Sequence, residues 1–253
     1  MGYSSFTYGA LGKVAIVGSC PAISDFHRWL HPEISIAGAP MPLGRLDVEG
    51  LKAMGERLAD IFKYIQTWDR SQLAFFSCTS GSLVGGEGYD ERLCKEIAEA
   101  AEVDTAYTTS TAVRLAFEKL NTKKMSIITP YPDDVNVSER VFFEGKGFVV
   151  NNINGIPTAD PNNRKLIYKI TPEQIFDFAV EHMDPTSDTL FLSCTGLRAL
   201  DVIKPLEDRL GVPVVTSNQT AIWLMGSYFG KHNDLAVERL GRLFQYVPSC
   251  LEG

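Results

Sequence analysis

The chain has 253 residues, 45% of them hydrophobic and 22% charged, with a formal net charge of −7. That length and apolar content supply one large or two small cores. The acidic balance leaves no clustered Lys/Arg footprint for nucleic acid, and no apolar stretch nears the roughly 18 residues a membrane helix needs. Residues Met1 to Gly12 lack the basic start and apolar core of a signal peptide, so a cytoplasmic location is expected.

In chain order, the first element is an apolar strand, Lys13-Val14-Ala15-Ile16-Val17-Gly18-Ser19. Phe26 to His31 follows as a short helical or loop segment, and Met41-Pro42-Leu43-Gly44 stands after a second strand. Leu51, Met54, Leu58, Ile61 and Ile65 recur three or four apart, which predicts one helix over Leu51 to Gln66. The run Leu73-Ala74-Phe75-Phe76 is a buried strand that stops at Ser77-Cys78-Thr79-Ser80-Gly81. A helix over Tyr89 to Ala101, a strand over Val103 to Tyr107 and a helix over Ser110 to Leu120, capped by Ser110 or Thr111, complete the first half.

The second half repeats this order. Lys124-Met125-Ser126-Ile127-Ile128-Thr129 is a strand ending at Pro130-Tyr131. Val137 to Gly145 reads as a helix, Phe148 to Ile153 as a strand, and Pro172 to His182 as a helix capped by Thr171. Leu190-Phe191-Leu192-Ser193 is a strand that stops at Cys194-Thr195-Gly196. A helix over Leu197 to Leu210 ends at Gly211, Val212 to Thr216 is a strand, and the last helix begins near Thr220. Strands separated by helices predict an α/β fold of two similar lobes, each a parallel sheet flanked by helices and related by internal duplication. The first lobe is expected to comprise residues 1–110 plus 217–253 and the second 111–216, with the active site in the cleft between them.

The chemical signal is the motif Ser-Cys-Thr, which ends a buried strand at Cys78 and again at Cys194. Ligands bind at the carboxyl ends of strands in such sheets, so the two thiols are candidate proton-handling or nucleophilic groups facing one substrate. The other three cysteines, Cys20, Cys94 and Cys250, read as structural. An odd total with no Cys-x-x-Cys argues against a disulfide framework or a structural zinc site. His27 and His31 have helical i, i+4 spacing, but no Glu stands between them and Pro32 ends the segment, so no metal is expected. The glycines from Gly81 to Gly88 lack the Gly-Lys-Ser/Thr of a nucleotide phosphate loop.

Together, the strand-end cysteines, Met41-Pro42-Leu43-Gly44, Thr129-Pro130-Tyr131 and Gly211-Val212-Pro213-Val214-Val215-Thr216-Ser217-Asn218-Gln219 resemble the aspartate/glutamate racemase superfamily, in its branch of maleate cis-trans isomerases and arylmalonate decarboxylases. The resemblance covers nearly the whole chain. It implies a cofactor-independent isomerase or racemase of a small carboxylate, in a homo-oligomer, with Cys78 and Cys194 as the catalytic pair. One thiolate takes the proton beside a carboxylate while the opposite thiol returns one, or a thiolate adds to an alkene and is later eliminated. Helix amino termini after both cysteines are expected to favour the thiolate. Exposed amides around Thr79, Ser80, Gly81, Thr195 and Gly196 are expected to hold the substrate carboxylate. The resemblance assigns further substrate contacts to Tyr131, Asn163, Ser19 and Pro21.

Two departures from the family pattern stand out. The isomerase branch ends its first strand in Ser-Ser-Asn-Thr, whereas this chain has Ser19-Cys20-Pro21-Ala22. That proline is closer to the decarboxylase branch, which however has Gly where this chain has Cys78. The alternatives are therefore an arylmalonate-type decarboxylase using Cys194 alone, or a non-catalytic small-carboxylate binding protein.

Overall fold

The computed structural model describes residues 8–68, 70–231 and 238–251; residues 1–7, on which the leader-free reading partly rests, lie outside them. The first half runs β1 (Gly12–Gly18), α1 (Cys20–Trp29), β2 (Ile34–Pro40), α2 (Val48–Gly55), α3 (Leu58–Trp68), β3 (Leu73–Ser77), α4 (Thr79–Leu83), α5 (Tyr89–Ala100), β4 (Thr105–Thr108) and α6 (Thr109–Lys119). The second runs β5 (Lys124–Thr129), α7 (Asp133–Gly145), β6 (Val149–Gly155), α8 (Arg164–Ile167), α9 (Pro172–His182), β7 (Thr189–Leu192), α10 (Ile203–Leu210), β8 (Val214–Thr216) and α11 (Ser217–Tyr228).

These strands form two four-stranded parallel sheets of the same order, β2-β1-β3-β4 and β6-β5-β7-β8. The duplicated α/β architecture is therefore as the sequence predicts. In both sheets the cysteine-bearing strand is central, β3 beside β1 and β7 beside β5. Every residue of β3, β7 and β8 is buried, because helices cover both sheet faces and exclude water from alternate side chains alike. α6 spans the expected junction at 110 and packs on α11, which also touches α1. Residues Ser217 to Ser227 of α11 are buried on every side, as expected of a helix without a polar face.

Several boundaries differ from the sequence reading, each for a local reason. α1 starts at Cys20 because the Ser19 hydroxyl accepts the Ala22 N–H, with Pro21 in the first turn. The single helix expected over 51–66 is two helices, broken after Gly55. A Cβ at Gly55 would lie 2.3 Å from the Tyr89 hydroxyl, so glycine lets that hydroxyl approach the end of α2 closely. Thr108 rather than Ser110 or Thr111 caps α6, accepting the Thr111 N–H at 3.1 Å. α7 begins earlier, at Asp133, with two aspartates in its first turn. α10 starts at Ile203, not Leu197, which places Pro205 in the first turn where its missing N–H costs no hydrogen bond. α11 starts at Ser217 through a capping box in which Thr216 and Gln219 satisfy each other's backbone N–H.

Phe117 of α6 marks where the second core closes, with Phe143, Phe148 and Phe191 each edge-on to it at ring-centroid distances of 5.4 Å. The Phe117 side chain is fully buried. Phe117→Ala is expected to lower the unfolding free energy by about 3–5 kcal/mol in denaturant titrations; a loss below about 1 kcal/mol would contradict this packing.

Candidate active site

Both thiols lie just past the ends of central strands, and in each the polypeptide turns so that an amide points at sulfur. Cys78 follows Ser77 at the end of β3 and is the N-cap of α4; its Sγ accepts the Gly81 N–H at 3.4 Å and lies 3.8 Å from Ser80 Oγ. Cys194 is not followed by the expected helix. Residues 195–197 form a turn, and Leu197 N–H donates to the Cys194 carbonyl at 3.2 Å. Cys194 Sγ accepts the Gly196 N–H at 3.2 Å. Its φ of 156° is a region that residues with a Cβ rarely occupy.

The carboxylate-binding role expected for the Gly81 and Gly196 amides is thereby displaced, since both are engaged by the sulfurs. Such N–H donors stabilise a thiolate more than a thiol.

Side chains from the amino terminus of α11 join the two cysteine loops. The Ser217 hydroxyl accepts the Cys194 N–H at 3.0 Å and shares a 2.7 Å hydrogen bond with the Thr79 hydroxyl. Asn218 donates to the Thr195 carbonyl at 3.2 Å and to Asp25 at 2.8 Å. From the N-cap of α1, just past β1, the Ser19 hydroxyl reaches the same Thr195 carbonyl at 3.1 Å. Tyr131 is set by its own loop: Thr129 Oγ1 accepts the Tyr131 N–H at 3.1 Å and donates to Asn136, whose amide donates to the Tyr131 carbonyl.

The result is a narrow cleft with an internal volume of about 20 Å³ that opens to solvent. Cys78 and Cys194 both line it, together with Ser19, Ser80, Tyr131, Thr195 and Gly196 among the sequence candidates. Pro21, Thr79, Gly81 and Asn163 are not among its lining residues. Pro21 is used in the first turn of α1, and the Thr79 hydroxyl pairs with Ser217. Gly81 serves Cys78, and Asn163 caps α8 by accepting the Lys165 N–H at 3.2 Å. The lining residues that the motifs did not identify are Leu46, Arg164, Ile167 and Tyr168, while Met41 and Leu43 come from the Met-Pro-Leu-Gly segment. Asn163 and Arg164 are adjacent, so the cap position and the cleft-lining position differ by one residue.

Burial dominates the electrostatics. Withdrawal from water pushes the Cys78 thiol up, against the Gly81 N–H, the Ser80 hydroxyl and the Arg164 charge. It pushes Cys194 to about 12, opposed by the Gly196 N–H and the Tyr131 hydroxyl and reinforced by Cys78 and Glu139. Tyr131 is raised well above a free phenol, mainly by burial, so it is a hydrogen-bond donor at neutral pH. Behind Cys194 lies a carboxyl group not suggested by any motif. Glu139 of α7 is fully buried, and burial lifts it to about 8 against the opposing effect of the Ser193 hydroxyl.

Two α/β lobes of duplicated topology, with strand-end cysteines at the cleft, set the class of fold. The arylmalonate decarboxylase family model matches residues 17–244, and the chain belongs to that family of enzymes. The arylmalonate decarboxylase of Bordetella bronchiseptica is 28% identical over 196 residues, covering 77% of this chain and 80% of that protein. Among solved structures, a liganded arylmalonate decarboxylase variant has one glycine replaced by cysteine and one cysteine replaced by serine. It matches with a TM-score of 0.82 at 26% identity, over 92% of this chain and 98% of that one. A cysteine-to-serine variant of Nocardia farcinica maleate cis-trans isomerase, carrying a covalently bound succinylcysteine intermediate, shares the fold with a TM-score of 0.82. It is 20% identical, over 92% of this chain and 98% of that one.

The buried Glu139 gives stability a definite pH dependence. An ordinary glutamate loses its proton near 4.5, whereas the native state retains it to about 8. Between these values the unfolded chain ionises and the native state does not, so this group destabilises the fold as pH rises through the window. Glu139→Gln is expected to melt increasingly above the parent protein as pH is raised from 5 to 8.5. A difference in melting temperature that stays constant across that range would contradict a protonated Glu139.

Proposed function

We propose that the protein is a cofactor-independent isomerase or racemase of a small carboxylate, with Cys78 and Cys194 as paired acid and base. The observation that carries this reading is that both thiols line one cleft, each receiving a backbone N–H. In the racemase form, one thiolate takes the proton beside the carboxylate, forming an S–H bond and leaving the electron pair in a planar enediolate. The opposite thiol then delivers its proton to the other face and becomes the thiolate. Proton count and charge balance without a cofactor, and the pair ends with its roles exchanged. In the isomerase form, a thiolate adds to an alkene carbon, the electron pair passes toward the carboxylate, rotation follows, and elimination restores the thiolate.

Either form requires one ionised thiol in a site that disfavours charge. The N–H donors on both sulfurs, and Arg164 for Cys78, act in that direction. Ser80, Tyr131 and Thr195 also line the cleft; the Ser80 and Tyr131 hydroxyls face the sulfurs, which leaves the Thr195 hydroxyl as a donor for the carboxylate as charge moves onto it.

A second reading is favoured by the family match and the Bordetella relative: decarboxylation of a malonate, in which Cys194 alone protonates the enediolate left by departing carbon dioxide. The two are separated by proton NMR in deuterated buffer with maleate, aspartate, glutamate, hydantoins and methyl-phenylmalonate. On the two-thiol reading, Cys78→Ala and Cys194→Ala each lower deuterium incorporation or maleate isomerisation by about a hundredfold to ten-thousandfold. Malonate turnover that survives Cys78→Ala but not Cys194→Ala would overturn it in favour of the decarboxylase.

A further inference from the structure

The turn that carries Cys194 is held from outside itself. Cys194 has a φ of 156°, and a residue with a Cβ keeps such a conformation only where its surroundings over-determine it. Three hydrogen bonds from neighbouring elements do this. Ser217 accepts the Cys194 N–H, while Ser19 and Asn218 both donate to the Thr195 carbonyl, at 3.1 and 3.2 Å. Asn218 alone among these has interchangeable ends: a carboxamide turned over presents an acceptor where it presented a donor. Asn218 is buried, and its Oδ1 has no hydrogen-bond partner among the described residues. The observed orientation is therefore set from the nitrogen side. There Nδ2 donates to the Thr195 carbonyl and, at 2.8 Å, to Asp25 Oδ2.

Asp25 belongs to α1, is half-buried and is not among the lining residues of the cleft. Arg28, one turn further along, pairs with Asp201 at 3.4 Å, so α1 meets the segment around the Cys194 turn at two points. Burial raises the Asp25 carboxyl and Asp201 adds to the rise, while the Asn218 N–H and the Arg28 charge favour the ionised form. An ionised carboxylate only accepts hydrogen bonds. Turning the Asn218 amide over would set its oxygen against Asp25 and the Thr195 carbonyl at once. We propose that Asp25 is a positioning residue: it fixes which end of the Asn218 amide meets the Thr195 carbonyl, and so holds the Cys194 turn in the shape that brings the Gly196 N–H to the sulfur. This role rests on the reading of Cys194 as a reacting thiol.

The full chain is treated with iodoacetamide in mildly alkaline buffer, and alkylation of Cys194 and of Cys78 is followed by peptide mass spectrometry in the same sample. The ratio of the two rates is the readout, because a general loss of stability exposes both sulfurs, whereas a relaxed Cys194 turn withdraws the Gly196 N–H from one and disfavours its thiolate. Asp25→Ala is expected to lower the Cys194-to-Cys78 ratio by about threefold to tenfold. In an Asn218→Ala background the same change lowers it by less than about twofold, since Asp25 then has no amide to orient. Asp25→Asn, near-isosteric and carrying a donor end of its own, lowers the ratio by about twofold or more, and decides the matter where Asp25→Ala does not fold. A ratio that stays or rises in the Asp25 variants, or an equal fall in the Asn218→Ala background, overturns the proposal. Sulfur reactivity rather than turnover is read, so that failure leaves the two-thiol reading standing, to be decided by the deuterium experiment.

Discussion

The candidate site depends on the hydrogen bonds that tie its two cysteine loops together, above all those of one hydroxyl. Ser217 joins the turn after β7 to the loop after β3, accepting from the Cys194 backbone and pairing with Thr79, the neighbour of Cys78. The two thiols belong to separate sheets, and nothing within either sheet sets the distance between them. The start of α11 helps set that distance, its Ser217 and Asn218 bonding to the second-lobe turn while the helix packs on α1 and α6, and Ser19 adds a bond to the same turn. The burial of α11 on all sides follows from this role. A helix packed between elements of both halves is buried around its whole circumference, and buried hydroxyls at its first turn need partners.

Opposing demands on charge shape the chemistry. A cleft that buries both sulfurs raises the cost of ionising either thiol, and the raised Cys78, Cys194 and Tyr131 values express that cost. The compensation is local and directional: an amide at each sulfur, and one arginine. The positive φ of Cys194 belongs to the same arrangement, because that conformation turns the chain sharply enough for the Gly196 N–H to meet the sulfur. Glu139 completes the picture by remaining neutral at physiological pH; ionised, it would place a second negative charge near Cys194 and Tyr131.

Much of this was legible in the sequence for a physical reason. Parallel strands buried on both faces leave continuous apolar runs, so β1, β3, β5 and β7 and the cysteines at two of their ends stood out. The duplicated order of elements followed from them. β2 was harder to place, since an edge strand that is half-exposed and carries Gly38 and Pro40 has no such run. The helix breaks at Gly55 and before Pro205 depend on a tertiary neighbour and on a first-turn position, which periodicity does not encode. Ser80 and Tyr131 were found because they adjoin the motif strands. Arg164 and Tyr168 were missed because they reach the cleft from a four-residue helix outside any motif, and Ser217 entered as part of a family pattern rather than as the group that joins the lobes.

The central claim is that Cys78 and Cys194 face one shared ligand space, and it is tested most directly by protection from alkylation. The protein is treated with iodoacetamide in mildly alkaline buffer over a series of succinate concentrations, and each cysteine is followed by peptide mass spectrometry. The account predicts that Cys78 and Cys194 are protected together, with the same half-saturating concentration, while the exposed Cys20 and Cys250 react at unchanged rates. Protection of one of the pair without the other, or at clearly different concentrations, would contradict it.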